Sequence, residues 1–128
     1  DSIQFIGKVP EFKEHLNNYN NIDLALDTFP YNGVTTSFEA VWMGVPVITM
    51  AGYNFNSRCG ESINKNLNME QLIAKDEDDY IQKVLDITNN HEDYINLRKS
   101  IFFDAIKSPL FNNQDYAKSF YEALKKIV

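Results

Sequence analysis

The sequence contains a single cysteine, Cys59, in 128 residues. An internal disulfide is therefore excluded, and so low a cysteine content is typical of a reducing compartment, which favours a cytoplasmic protein. No pair of His or Cys residues has the spacing of metal ligands. The sequence thus predicts no dedicated metal site.

Basic residues are also scarce. The chain has 12 Lys and Arg against 18 Asp and Glu, a formal net charge of −6. Nucleic acids and anionic membranes select basic surfaces, so neither is an expected partner. A small anionic ligand remains compatible with this charge, because the free amides at a helix N-terminus bind phosphate without Lys or Arg.

Long apolar runs and a signal peptide are missing as well. No apolar run approaches the length of a membrane span, and residues 1–4 do not form a basic segment followed by an apolar one. The sequence starts without Met and almost directly in a strand-like run. This start is what we expect of a piece cut from a longer protein.

What the chain does contain is 44% hydrophobic and 13% aromatic residues, which indicates a folded core. Its first part alternates apolar runs with helical patterns, typical of a parallel sheet covered by helices. The predicted strands are residues 3–6, 22–26 and 45–50, with an edge strand at 72–74. The predicted helices between them are residues 10–20, 35–43 and 57–67.

Three further helices are predicted after this alternation. They cover residues 76–88, 92–107 and 113–128, and Pro109 separates the last two because proline breaks a helix. The sequence therefore predicts one partial domain over residues 1–128. Residues 1–75 are its α/β portion, and residues 76–128 are its closing helices.

The polar stretch of residues 27–39 carries the most chemistry. It follows a predicted strand and runs into a helix, and ligands bind at that edge of an open parallel sheet. Gly33 permits a tight turn and close approach to a ligand. Thr35 and Thr36 place hydroxyls and free amides at a helix N-terminus, where an anion is favoured.

Two interpretations of Glu39 remain open from the pattern alone. Thr36 and Glu39 have the spacing of a capping box, in which Thr36 caps the helix and Glu39 reaches back to the cap amide. If a nucleotide binds here, Glu39 instead faces the ribose hydroxyls, because phosphate would repel it. His15, alone on an amphipathic helix, is by its pattern more typical of a structural residue, although its ring is able to stack on a nucleobase.

The segment LDTFPYNGVTTSFEAVWMGVPV, residues 26–47, resembles the signature of the O-linked N-acetylglucosamine transferase and SPINDLY family, glycosyltransferase family 41. The resemblance continues at residues 57–58, 70–74, 78–80 and 108–111, and so covers nearly the whole chain. It implies the GT-B fold, in which two Rossmann-like domains face each other and the C-terminal one binds the donor. This chain corresponds to the second half of that C-terminal domain and its closing helices.

The resemblance also implies a set of donor contacts. Thr35 and Thr36 match the pair that holds the diphosphate, Glu39 matches the acidic position that binds the ribose, and His15 matches the histidine that lies against the uracil ring. Asn18 and Val34 depart from the arginine and histidine of some members. The predicted substrate-binding residues are His15, Asn32, Gly33, Thr35, Thr36 and Glu39.

The implied reaction is inverting, metal-free transfer of a sugar to Ser or Thr of a protein. The donor is UDP-N-acetylglucosamine, or GDP-fucose as in the SPINDLY branch, and no cofactor is expected. The family's diphosphate lysine and the groups nearest the acceptor belong upstream of Asp1. We therefore expect no catalytic residue here, an inactive chain when alone, and an upstream N-terminal catalytic lobe, with or without helical repeats, as partner.

Two other classes compete with a transferase. One is a regulatory α/β domain that has the fold without the chemistry. The other is a signalling receiver domain with Asp27 as phosphoacceptor. The receiver is the least favoured, because the acidic pair that would hold magnesium is missing and Lys75 is not followed by proline.

Overall fold

The computed structural model describes residues 3–127. Within this range the strands are β1 (Ala25–Leu26), β2 (Val47–Met50) and β3 (Ile73–Ala74). The α-helices are α1 (Phe12–Asn17), α2 (Thr35–Trp42), α3 (Cys59–Asn66), α4 (Glu77–Asn89), α5 (His91–Lys107) and α6 (Asn113–Lys125). Short 3-10 helices cover Asn18–Asn21, Glu70–Leu72 and Pro109–Phe111.

The strands form one parallel sheet in the order β1-β2-β3. Ala25 of β1 pairs with Val47, and Thr49 of β2 pairs with Ile73. The central strand β2 is buried, as expected of a parallel strand with helices on both faces. The α/β class and the parallel sheet predicted from the sequence are confirmed.

The core lies between the sheet and the helices that cover it. Its fully buried aliphatic side chains come from α2, β2, α5 and the segment before β3, and include Val41, Ile48, Leu72 and Ile101. Gly44, with a φ of +74°, ends α2 in the left-handed conformation that glycine adopts most readily. The chain thereby turns from α2 into β2, which brings the start of α2 to the carboxyl edge of the sheet.

The strand predicted at residues 3–6 is wrong. These residues have no regular secondary structure, and the Phe5 side chain is 93% exposed. A strand needs a neighbour for its amides and carbonyls, and no strand of residues 3–127 pairs with this segment. The three other strands are all shorter than predicted, and at the start of β2 the reason is Pro46, which has no amide hydrogen to donate to a sheet.

The three C-terminal helices are confirmed. Each begins at a side-chain cap, in which Asp76, Asn90 and Asn112 accept hydrogen bonds from the backbone amides three residues later. The predicted end of the last helix, Val128, lies outside the described residues. Over residues 3–127, no helix combines the length and the apolar character needed to cross a membrane.

Candidate functional site

The N-terminus of α2 opens at the carboxyl edge of the sheet. It carries no side-chain cap and has no acidic residue in its first turn. By contrast, α4, α5 and α6 each have a side-chain cap and at least one acidic residue in the first turn. The first-turn amides of Thr35 and Thr36 therefore remain available to a partner outside the helix, and the helix dipole favours an anionic one.

The Glu39 carboxylate lies one turn further along α2 and faces α1. Its Oε2 atom lies 2.9 Å from Nε2 of His15 and accepts a hydrogen bond of 3.0 Å from the Tyr19 hydroxyl. The capping-box interpretation is wrong, because α2 begins at Thr35 after Val34 and has no side-chain cap. The contacts from α1 and the turn after it draw Glu39 away from the helix start instead.

His15 is held at the edge of this cluster. Its ring stacks on Phe12, with centroids 6.3 Å apart and planes inclined by 29°, and meets the Tyr19 ring edge-on at 5.8 Å. The side chain is nevertheless 44% exposed. The ring is thus oriented by its neighbours while much of its surface stays accessible to a ligand.

Tyr19 is a member of the cluster that the sequence did not predict. Its hydroxyl lies within hydrogen-bonding distance of Glu39 Oε2 and, at 3.3 Å, of the backbone oxygen of Thr36. Burial, with a further contribution from Glu39, raises the pKa of Tyr19 to about 12, so the hydroxyl stays a neutral donor. Its position four residues after His15 is the one signal that could have indicated this role, because residues with that spacing share a helix face.

Asp27 holds the loop between β1 and α2 against the central strand β2. The residue is buried, its Oδ1 accepts from the Gly33 amide at 2.6 Å, and its Oδ2 accepts from the Thr49 hydroxyl at 2.7 Å. The loop is thereby tied to the central strand. A buried carboxylate with both oxygens occupied also disfavours the receiver alternative, which needs an accessible phosphoacceptor.

Gly33 packs against the start of α2 more closely than a side chain would allow. A Cβ atom there would lie 2.5 Å from Thr36 Oγ1 and 2.9 Å from Ser37 Oγ. Asn32, in contrast, is buried, and its Oδ1 accepts from the Gly60 amide at 3.4 Å. The Asn32 side chain therefore faces α3 inside the protein, and its predicted contact with a ligand stays a prediction.

The structure places most of the predicted site residues around the N-terminus of α2. His15 and Glu39 are in contact, Tyr19 links them to Thr36, and Gly33 packs on Thr36. Beside them is a recess of about 200 Å³, lined in part by Tyr19, Gly33 and Thr36. Thr35 begins the helix at this point, whereas Asn32 lies beneath the surface.

Asp27 gives a testable dependence of stability on pH. Burial raises the pKa of its carboxyl, and the hydrogen bonds from Gly33 and Thr49 offset this only in part. Because the folded-state pKa lies above the unfolded one, the contribution to stability is complete below the unfolded pKa and is lost as pH rises through the folded pKa. We expect the wild type to lose stability relative to Asp27→Asn as pH rises from about 3 to about 7.

Urea unfolding of both chains across this range measures the difference. The other titrating groups are common to both chains, so the difference isolates Asp27. A difference that is constant with pH would contradict the raised pKa.

Comparisons with known proteins identify what this chain resembles. The family model described as Glycosyl transferase family 41 matches residues 2–120. The chain is 35% identical over 114 residues to the probable UDP-N-acetylglucosamine--peptide N-acetylglucosaminyltransferase SPINDLY of Hordeum vulgare. It is 27% identical over 112 residues to the UDP-N-acetylglucosamine--peptide N-acetylglucosaminyltransferase of Caenorhabditis elegans. These alignments cover 89% and 88% of this chain but only 12% and 10% of the two relatives.

A solved structure shows the same likeness in three dimensions. A mutant of the Thermobaculum terrenum O-GlcNAc transferase superposes with a TM-score of 0.85 at 30% identity. The superposition covers 92% of this chain and 22% of the other. The predicted fold, a Rossmann-like parallel α/β unit of a GT-B glycosyltransferase, agrees with this match.

Proposed function

The chain belongs to glycosyl transferase family 41, and on this premise we propose that it is the donor-binding part of a protein O-glycosyltransferase. The whole protein transfers N-acetylglucosamine, or fucose, from a nucleotide diphosphate sugar to Ser or Thr of an acceptor protein. The similarity to peptide N-acetylglucosaminyltransferases supports this activity. Since this chain spans 12% of the Hordeum vulgare relative, we assign the catalytic groups and the acceptor-binding groups to segments that this chain does not contain.

The observation that carries the proposal is the cluster of Glu39, His15 and Tyr19 beside the uncapped start of α2. Thr35 and Thr36 bind the diphosphate with their amides and hydroxyls. Both contacts to Glu39 fall on Oε2, so among residues 3–127 its Oε1 has no hydrogen-bond partner. That oxygen accepts from the ribose hydroxyls, and the exposed ring of His15 lies against the base.

The electrostatics of α2 support a diphosphate at its start. Its first turn has no acidic residue, and Glu39 is held on the side of α1. The other carboxylate near this turn, Asp27, is buried, and both of its oxygens already accept hydrogen bonds from Gly33 and Thr49. As the glycosidic bond to the leaving diphosphate breaks, negative charge grows on the phosphate oxygens. Fixed amide donors stabilise that charge without having to reorganise, and the proposal requires no metal ion for this purpose.

The remaining site residues have supporting roles. Gly33 lets the turn pack on Thr36, and Asn32 supports the same turn from inside the protein.

The proposed location is cytoplasmic, which the single cysteine of the chain supports. The proposed partners are the nucleotide sugar, an acceptor protein and an N-terminal catalytic lobe.

Sugar transfer by the full-length protein tests the proposal. We expect mass spectrometry to detect a glycosylated Ser/Thr peptide with UDP-N-acetylglucosamine or with GDP-fucose, and no product with the 128-residue chain alone. Binding of UDP or GDP without transfer would favour the regulatory alternative. A full-length protein that binds neither nucleotide would contradict the proposal, and transfer by the chain alone would contradict the assignment of the catalytic groups to other segments.

A further inference from the structure

We infer that Tyr19 is a positioning residue of the donor site, whose hydroxyl holds the Glu39 carboxylate in the orientation that receives the ribose. The inference rests on the proposed function and deepens it. Tyr19 itself need not contact the ligand, because it acts through Glu39.

The asymmetry of the contacts on Glu39 is the first observation. The Tyr19 hydroxyl and Nε2 of His15 both meet Oε2, at 3.0 and 2.9 Å. The terminal torsion of a glutamate is otherwise broad, so an unrestrained carboxylate would present its oxygens in many orientations. Two donors on one oxygen restrict that rotation and turn Oε1 away from α1.

The second observation is that the same hydroxyl reaches the backbone of α2. It lies 3.3 Å from the carbonyl oxygen of Thr36, in the turn whose amides are proposed to bind the diphosphate. One side chain thus contacts both the proposed ribose ligand and the proposed diphosphate turn. Thr36 and Glu39 lie three residues apart on α2, so the helix sets their spacing, and the Tyr19 hydroxyl orients the Glu39 carboxylate relative to that turn.

The third observation is that the ring of Tyr19 is anchored. The residue is only 9% exposed and belongs to the hydrophobic core, and its ring packs edge-on against His15. The hydroxyl is therefore held by a rigid support, and it remains a donor at neutral pH because the pKa of Tyr19 is raised to about 12. Tyr19→Phe removes this donor and keeps the buried ring.

A double-mutant cycle on the full-length protein tests the inference. UDP and GDP are titrated calorimetrically into the wild type, Tyr19→Phe, Glu39→Gln and the double variant. We expect Tyr19→Phe to weaken binding of the nucleotide that the wild type binds by about three- to tenfold, less than the loss of the charged contact itself, because Tyr19 acts only through Glu39. In the Glu39→Gln background the same change should cost less than about twofold, because the carboxylate that it positions is gone.

Tyr94→Phe is the matched control. The Tyr94 hydroxyl also donates to a carboxylate, Oδ1 of Asp23 at 2.9 Å, but on α5 and outside the site. The nucleotide affinity of Tyr94→Phe should equal that of the wild type. Thermal unfolding of each variant checks that Tyr19→Phe remains folded.

The outcomes separate the inference from the proposed function. An equal loss of affinity from Tyr19→Phe in both backgrounds would overturn the inference, since Tyr19 would then act independently of Glu39. Unchanged affinity in Tyr19→Phe, together with weakened binding in Glu39→Gln, would overturn the inference and leave the proposed function in place. Unchanged affinity in both single variants would contradict the ribose role of Glu39 itself.

Discussion

Asp27→Ala is expected to lower the free energy of unfolding of the chain by about 3 kcal/mol or more. The change leaves the Gly33 amide and the Thr49 hydroxyl without the carboxylate oxygens that accept from them. Each buried donor that loses its acceptor costs roughly 1–3 kcal/mol, and the removed side chain also leaves a cavity. Urea unfolding followed by circular dichroism measures the difference.

Asp23→Ala is the matched control, because it removes an aspartate at the other end of the same short segment. The Asp23 side chain is 86% exposed, lies 3.7 Å from Arg98 and accepts an exposed hydrogen bond of 2.9 Å from the Tyr94 hydroxyl. Exposed pairs of this kind contribute roughly 0–1 kcal/mol, so the control should remain close to the wild type. If Asp27→Ala cost no more than Asp23→Ala, the structural role given to the Asp27 hydrogen bonds would be wrong.

Glu39→Gln is expected to reduce the nucleotide affinity of the full-length protein by roughly tenfold to a hundredfold. Glutamine preserves the shape of the side chain but removes the negative charge from the oxygen proposed to accept from the ribose. Hydrogen bonds to a charged group contribute about 1.5–3 kcal/mol, which corresponds to that loss. Calorimetric titration with UDP and GDP measures it.

Glu61→Gln provides the control for burial and charge. The Glu61 side chain is 11% exposed, against 15% for Glu39, and it pairs with Arg58 and Lys65 rather than with residues of the site. Its affinity should be unchanged. Reduced stability of Glu39→Gln with wild-type affinity would instead make Glu39 a purely structural link between α2 and α1.

The fold was predictable where the pattern was local and repeated. Apolar strands separated by helical segments indicated a parallel sheet. The last three helices were predictable because each capping side chain accepts a hydrogen bond from an amide only three residues later. The run at residues 3–6 misled because apolar character makes a strand only when a neighbouring strand accepts its hydrogen bonds. Composition cannot show whether that neighbour is present.

The site was predictable only in part. The pattern around Glu39 fitted both a capping box and a ligand site, and the capping box would have required α2 to begin at Ser37, after a Thr36 cap, rather than at Thr35. The resemblance to a family, not the spacing, brought His15 into the site. The role of Tyr19 was hidden because its aromatic ring fits the apolar face of a helix, while its hydroxyl reaches Glu39, 20 residues away in sequence.

The position of a bound nucleotide in the full-length protein tests the central claim most directly. A crystal structure with UDP, or with GDP if that nucleotide binds more tightly, should place the diphosphate oxygens within hydrogen-bonding distance of the Thr35 and Thr36 amides. The ribose hydroxyls should meet Glu39 Oε1, with Oε2 still held by Tyr19 and His15. A nucleotide bound away from the start of α2, or a diphosphate there with Glu39 turned from the ribose, would contradict the account.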